Sequence, residues 1–178
     1  MAKEWTCKER KAVYEGERLT LFKDRVETSN GKETSYTYVE QGSSVEIVAL
    51  NEQGEIYLVR QYRYPVRQES WEFPAGHTQN GEDPAETARR ELQEEIRMTA
   101  SKIETLGQIS SNASLLTSKC TILLATGLQP AKKERDETEG DLLVKTFPLE
   151  KIEEMVREGL IHDSTALATL TLFKLRDR

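Results

Sequence analysis

The order of elements in the sequence predicts an α/β (α+β) fold: a sandwich with a mixed central sheet between helices, preceded by an N-terminal antiparallel hairpin lobe. Three observations carry this expectation. Residues 44–50 and 55–62 are rich in Val, Ile, Leu and Tyr and read as central strands. A well-signalled helix begins near Asp83. After further strands, two more helices close the sequence.

Taken in order, residues 12–41 are extended in pattern, and Asn30-Gly31 between two such runs is a strong short-range signal for a hairpin. The hairpin has few continuous apolar runs, so it needs a partner surface. A turn at residues 51–54 joins the two central strands. Residues 63–70 read as a charged loop, and residues 71–75 as a short strand stopped by Pro74. Asp83 is a good N-cap, Pro84 sits where its missing N–H is harmless, and Glu86 completes a capping box. Strands are expected at residues 102–109, 121–125 and 142–147, with polar loops at 110–114 and 129–141. Pro148 opens a helix that ends at Gly159, and Asp163 caps a last one running to about Leu175.

Composition narrows the function. The chain has 178 residues, 37% of them hydrophobic, which suits one main domain, and a formal net charge of −6. An acidic chain is a poor match for a nucleic-acid backbone, so no nucleic-acid partner is expected. No apolar run approaches the length of about 20 residues that crosses a bilayer, and the first residues are too polar for a signal peptide. A soluble cytoplasmic protein without a membrane partner is therefore expected. Cys7 and Cys120 stand alone, without the spacing of a disulfide framework or a zinc site. His77 and His162 are isolated and read as polar loop residues.

The helix after Asp83 carries the chemical signal. Residues 82–95 hold six acids against two bases, a local charge of −4. Like charges one helical turn apart, as at Glu91 and Glu95, cost roughly 0.2–0.5 kcal/mol per pair when merely solvated, and a divalent cation reverses that sign. At about 100° per residue, Ala85, Ala88, Leu92 and Ile96 form a stripe toward the core, with Glu91, Glu94 and Glu95 at its margin. Carboxylates at a buried margin must be paired, metal-bound or protonated. Mg2+, with Mn2+ as the alternative, takes such oxygen ligands and shares them with substrate phosphates. Arg90 lies close to Glu94 on the same wheel, where orienting the carboxylate outweighs a direct catalytic role.

Gly76, Glu82 and the run Arg90-Glu91-Leu92-Gln93-Glu94-Glu95 reproduce the spacing G-x5-E-x7-R-E-U-x-E-E, with U aliphatic. The sequence thereby resembles the Nudix hydrolases. The resemblance implies a Nudix-type α/β/α sandwich over residues 43–178, with the box on a loop–helix–loop. It implies metal ligation by Glu91, Glu94, Glu95 and the backbone carbonyl of Ala75, with Glu82 outside the innermost ligands. The sequence departs from the box at Arg97, where the family has glycine. Either the helix runs on there or the exit loop differs.

The flanks are similar to the ADP-ribose and nucleoside-diphosphate-sugar pyrophosphatases: residues 60–63 (RQYR), 71–76 (WEFPAG) and the acidic run 136–139 (DETE). That likeness implies Arg63 as a phosphate or ribose clamp, Glu72 as acceptor for sugar or base donors, and Arg67 as a weaker candidate that equally suits a surface ion pair. Glu137 is the candidate general base and Glu139 an additional metal ligand, the alternative for both being an acidic surface loop. The family's proline-glycine loop ending in an acid is replaced here by residues 110–116, SSNASLL, which shifts the expectation from narrow ADP-ribose specificity to a broader nucleotide-sugar hydrolase. Asn112 is then a candidate sugar ligand. The same likeness, with the poorly self-sufficient hairpin, implies a homodimer joined through residues 1–42.

Together these readings give a Mg-dependent hydrolase that splits the pyrophosphate of nucleoside diphosphate sugars, ADP-ribose or GDP-mannose in type, to a nucleoside monophosphate and a sugar phosphate. The alternatives are a housecleaning hydrolase of nucleoside triphosphates and a non-catalytic nucleotide-sugar-binding regulator.

Overall fold

The structure is a computed structural model that describes residues 4–79, 81–131 and 142–176. These fall into two compact units, one of the residues up to Gly42 with Ser110–Lys119, the other of Ser43–Ile109 with the residues from Cys120 on.

The first unit is an antiparallel sheet of β1 (Thr6–Glu9), β2 (Ala12–Glu15), β3 (Leu19–Glu27) and β4 (Glu33–Gln41). β3 pairs with the other three, β1 and β2 sharing one of its edges end to end. The β3–β4 turn closes with Thr28 N–H donating to Lys32 O at 2.9 Å and Gly31 at φ 81°, where glycine carries no steric penalty. β1 is absent from the sequence reading because TCKE is exposed throughout and has no apolar alternation. Residues 110–119 lie along β4: Val39 N–H donates to Leu115 O at 2.8 Å and Thr117 N–H to Val39 O at 3.1 Å. Phe22 and Tyr38 stack at 5.5 Å between centroids, and the Arg10 guanidinium lies 5.0 Å from the Phe22 ring centre.

The second unit contains β5 (Ser44–Ala49), β6 (Ile56–Arg63), β7 (Gln68–Glu72), β8 (Ala75–His77), α1 (Pro84–Ile96), β9 (Met98–Ile109), β10 (Cys120–Pro130), β11 (Leu143–Phe147), α2 (Leu149–Arg157) and α3 (Ser164–Leu175). One sheet has the order β8-β5-β10-β9, with β5 and β10 parallel and the other pairs antiparallel, and a second has the order β11-β6-β7. This is the mixed α/β architecture expected. Side-chain alternation along β5 separates two cores. Val45, Ile47 and Ala49 pack with Ala88, Leu92 and Ile96 of α1, whereas Val48 packs with Ile152 and Met155 of α2 and Ala166, Leu170 and Phe173 of α3. Glu46 shares the face of Val48, the face toward α3.

Three local readings are corrected. The expected loop at 63–70 shrinks to a tight turn, because β6 runs to Arg63 and β7 starts at Gln68. Arg67 closes that turn at φ 55°, its N–H donating to Arg63 O at 2.8 Å. Gln129 and Pro130 belong to β10, held extended opposite Thr99 and Met98, and are not loop. The single strand expected at 71–75 is divided, β7 ending at Glu72 and β8 starting at Ala75 beyond Pro74. Glu137 and Glu139 lie outside the described residues.

Candidate active site

The site is built on α1, whose start is fixed as its sequence requires. The Asp83 carboxylate accepts from Ala85 N–H at 2.8 Å, and Glu86 Oε2 accepts from Asp83 N–H at 3.3 Å. The helix stops at Arg97, left-handed at φ 58° and ψ 36°, with its N–H bonded to Leu92 O. Of the two exits left open by the sequence, the helix therefore ends at the glycine place, with arginine tolerating a conformation that costs a non-glycine residue roughly 1–2 kcal/mol.

Between these ends the acids converge. Glu91 and Glu95 are buried at 7% exposure each, and the Glu94 side chain retains 17%. Arg90 braces three carboxylates at once: Nη1 donates to Glu91 Oε1 at 2.6 Å and to Glu94 Oε2 at 3.1 Å, while Nε and Nη2 donate to the two oxygens of Glu82 at 3.2 and 3.1 Å. Its remaining reach is to the His77 carbonyl at 2.9 Å. Glu82, which also accepts from Gln79 N–H and Thr87 Oγ1, is drawn down from 4.5 to about 2, chiefly by the Arg90 hydrogen bonds. Glu95 Oε2 accepts from Ala75 N–H at 3.1 Å. Gly76 is glycine for a visible reason: a Cβ there would occupy the space of the Glu91 carboxylate.

Beside this helix opens a cleft of about 500 Å3 lined by Glu46, Arg63, Glu72, Gly76, His162 and Asp163, among others. Arg63 and Glu72 form a two-pronged pair across β6 and β7, with Nε to Oε1 at 3.0 Å and Nη2 to Oε2 at 2.5 Å. Gln61 Nε2 donates to the same carboxylate at 3.3 Å. The pair raises the Arg63 pKa further, through its hydrogen bond to Glu72, so the guanidinium is a permanent charge at the cleft. Glu46 is 3% exposed, and burial pushes its carboxyl from 4.5 up to about 8, opposed by a hydrogen bond from the Thr169 hydroxyl.

The residues singled out in the sequence thus divide. Glu91, Glu94, Glu95, Arg90 and Ala75 gather at one place, and Arg63 and Glu72 line the adjoining cleft. Arg67 is exposed on the turn and is absent from the cleft lining. Asn112 belongs to the other unit, where its Oδ1 accepts from Ser114 N–H and Oγ within a turn. Sequence reasoning missed Glu46 and Thr169, and it read Asp163 correctly as a helix cap but not as part of the cleft wall. The available signal for Glu46 was a lone acid inside the apolar run 44–50.

The donor set suits a hard divalent cation in kind: carboxylate and backbone oxygens only, with Gly76 giving the Glu91 carboxylate the space it occupies. Among the described residues, no three acidic, imidazole or thiol groups are already closed around a point as they stand. Arg90 and Ala75 N–H hold the carboxylates instead, so metal binding would exchange those contacts for the ion. Glu91, Glu94, Glu95 and the Ala75 carbonyl are the groups that would hold it.

Comparison with known proteins agrees with this arrangement. Residues 40–162 match the NUDIX domain. The chain is 32% identical over 158 residues to an ADP-ribose pyrophosphatase of Mycobacterium tuberculosis, covering 88% of this chain and 76% of the relative. It is 30% identical over 169 residues to a methanol dehydrogenase activator of Bacillus methanolicus, covering 93% and 90%. A crystal structure of an ADP compounds hydrolase superposes with a TM-score of 0.86 at 25% identity, covering 98% of this chain and 94% of that one. With the box residues assembled on α1 and the domain matched over most of the chain, the protein belongs to the Nudix family, as a hydrolase of pyrophosphate bonds of the ADP-ribose pyrophosphatase type.

Proposed function

We propose that the protein hydrolyses the pyrophosphate of nucleoside diphosphate sugars, of the ADP-ribose or GDP-mannose kind, to a nucleoside monophosphate and a sugar phosphate. The observation that carries this reading is the adjacency of the Glu91–Glu94–Glu95 cluster to a cleft holding the Arg63–Glu72 pair. In this account Glu91, Glu94, Glu95 and the Ala75 carbonyl hold Mg2+ or Mn2+, with Glu139 as a further ligand. The ion, when bound, polarises phosphate oxygens and lowers the pKa of attacking water. Arg90 keeps Glu91 and Glu94 aimed, acting as a positioning residue. Arg63, fixed by Glu72, presents its remaining N–H groups to phosphate or ribose oxygens. Glu72 accepts from sugar or base donors. Glu137 takes the proton of the attacking water. Arg67 and Asn112 are secondary candidates for substrate contact.

The N-terminal unit, residues 1–42 in the sequence reading, is proposed to join two copies into a homodimer, in the cytoplasm, with the hydrolase unit at 43–178. The purified protein, given Mg2+ and either ADP-ribose or GDP-mannose with a phosphatase, or deoxynucleoside triphosphates with an inorganic pyrophosphatase in its place, should release inorganic phosphate from the first two. Preference for the triphosphates would replace this reading with the housecleaning one. A second reading, a regulatory role beside turnover, is prompted by the likeness to the methanol dehydrogenase activator.

A further inference from the structure

We infer that Glu46 is a specificity-determining residue of the cleft, placed to hydrogen-bond a hydroxyl of the substrate's sugar; this rests on the proposed nucleotide-sugar reading. Glu46 interrupts the apolar strand β5 between Val45 and Ile47, both of which are fully buried. An acid there is costly unless its oxygens are used. Thr169 on α3 uses one of them, its hydroxyl donating to Oε2. Among the described residues, the one fully buried side-chain oxygen or nitrogen without a partner is Asp24 Oδ1, in the other unit. Among the described residues Thr169 is the side chain bonded to Glu46, and Glu46 lines the cleft, so its second oxygen is the one left to meet a ligand there.

The neighbouring chemistry selects the ligand group. Asp163, Glu72 and Arg63 line the same cleft as Glu46, which places two carboxylates and one guanidinium around that cleft. That guanidinium is engaged by Glu72. Asp163 turns its Oδ1 to the first N–H groups of α3, accepting from Thr165 at 2.9 Å and Ala166 at 3.2 Å. A carboxyl group in such company suits a group that both donates and accepts, as a sugar hydroxyl does. A merely structural tie between β5 and α3 needs neither the second oxygen nor a place in the cleft wall. An apolar residue would fill the same strand position without the desolvation cost.

The test compares kcat/KM for a nucleoside diphosphate sugar with that for analogues each lacking one sugar hydroxyl. Wild type should disfavour at least one analogue by about tenfold, the scale of a single lost hydrogen bond in a closed site. Glu46→Val should bring that ratio to within about twofold of unity, while Glu46→Gln, which retains a hydrogen-bonding group, should preserve most of it. A ratio unchanged in Glu46→Val, with thermal melting showing it folded, overturns the inference while leaving the proposed function standing. Absence of cleavage of any nucleotide sugar by wild type overturns both. Should Glu46→Val not fold, a crystal structure of wild type with a nucleoside diphosphate sugar decides: a sugar hydroxyl within about 3.2 Å of Glu46 supports the inference, and a sugar lying elsewhere overturns it.

Discussion

Gly76 and Glu91 compete for the same space: a Cβ on Gly76 would fall on the Glu91 carboxylate. The glycine of β8, which lines the cleft, therefore leaves the space that an acid of α1 occupies behind it. Gly76→Ala must push Glu91 aside or shift β8. Displacement of a catalytic group by about 1 Å costs roughly 100-fold, so Gly76→Ala should lower kcat by about that factor with melting little changed. Steady-state kinetics alongside a circular-dichroism melt read both, and near-normal kcat would show that Glu91 does not need its present place.

Arg90 touches Glu82, Glu91 and Glu94 together. Arg90→Lys keeps a charge but cannot span three carboxylates with one ammonium. It should lower kcat by about tenfold or more while raising the metal concentration needed for half-maximal rate. A metal titration of activity is the measurement, and an unchanged half-saturation point would remove the positioning role.

The Glu82–Arg90 pair sets a pH signature. Glu82 falls from 4.5 to about 2 in the folded protein, so the folded state holds the proton less readily than the unfolded chain. Its contribution to stability is complete above the unfolded value and is lost as pH falls toward 2. The stability difference between wild type and Glu82→Gln should accordingly be steady from pH 7 to about 5.5 and shrink through pH 4 to 2. Urea unfolding across that range tests it, a constant difference being the contrary result.

Much of this was legible beforehand, for identifiable reasons. The cap at Asp83, Pro84 and Glu86 and the box spacing are local signals, fixed by backbone chemistry within a few residues. The consequence of Arg97 was not legible, since a residue that disfavours the left-handed region still occupies it when β9 must begin at Met98. Glu46 and Thr169 lie 123 residues apart, and only the packing of α3 on β5 brings them together. The extent of β10 likewise depends on pairing with β9, not on any strand preference of Gln129 and Pro130 themselves.

Arg97 offers a stability test of its own. Arg97→Gly removes a left-handed penalty of roughly 1–2 kcal/mol, offset by about 0.4–1 kcal/mol of added unfolded-chain entropy. A gain of about 0.5–1 kcal/mol is expected from denaturant unfolding, whereas Arg97→Val should lose about 1 kcal/mol or more. Destabilisation by glycine would contradict the assigned helix exit.

The central claim is that the carboxylates of α1 drive cleavage of a nucleotide sugar, and Glu95 is the residue on which it turns. Glu95 is buried and bonded to the Ala75 N–H beside the cleft, and glutamine can keep that contact while removing the charge. The most direct measurement is turnover of ADP-ribose or GDP-mannose with Mg2+ by wild type and Glu95→Gln. The account requires release of nucleoside monophosphate and sugar phosphate by wild type, and a rate about 100-fold lower or less in the folded variant. Equal turnover by the two proteins would contradict it.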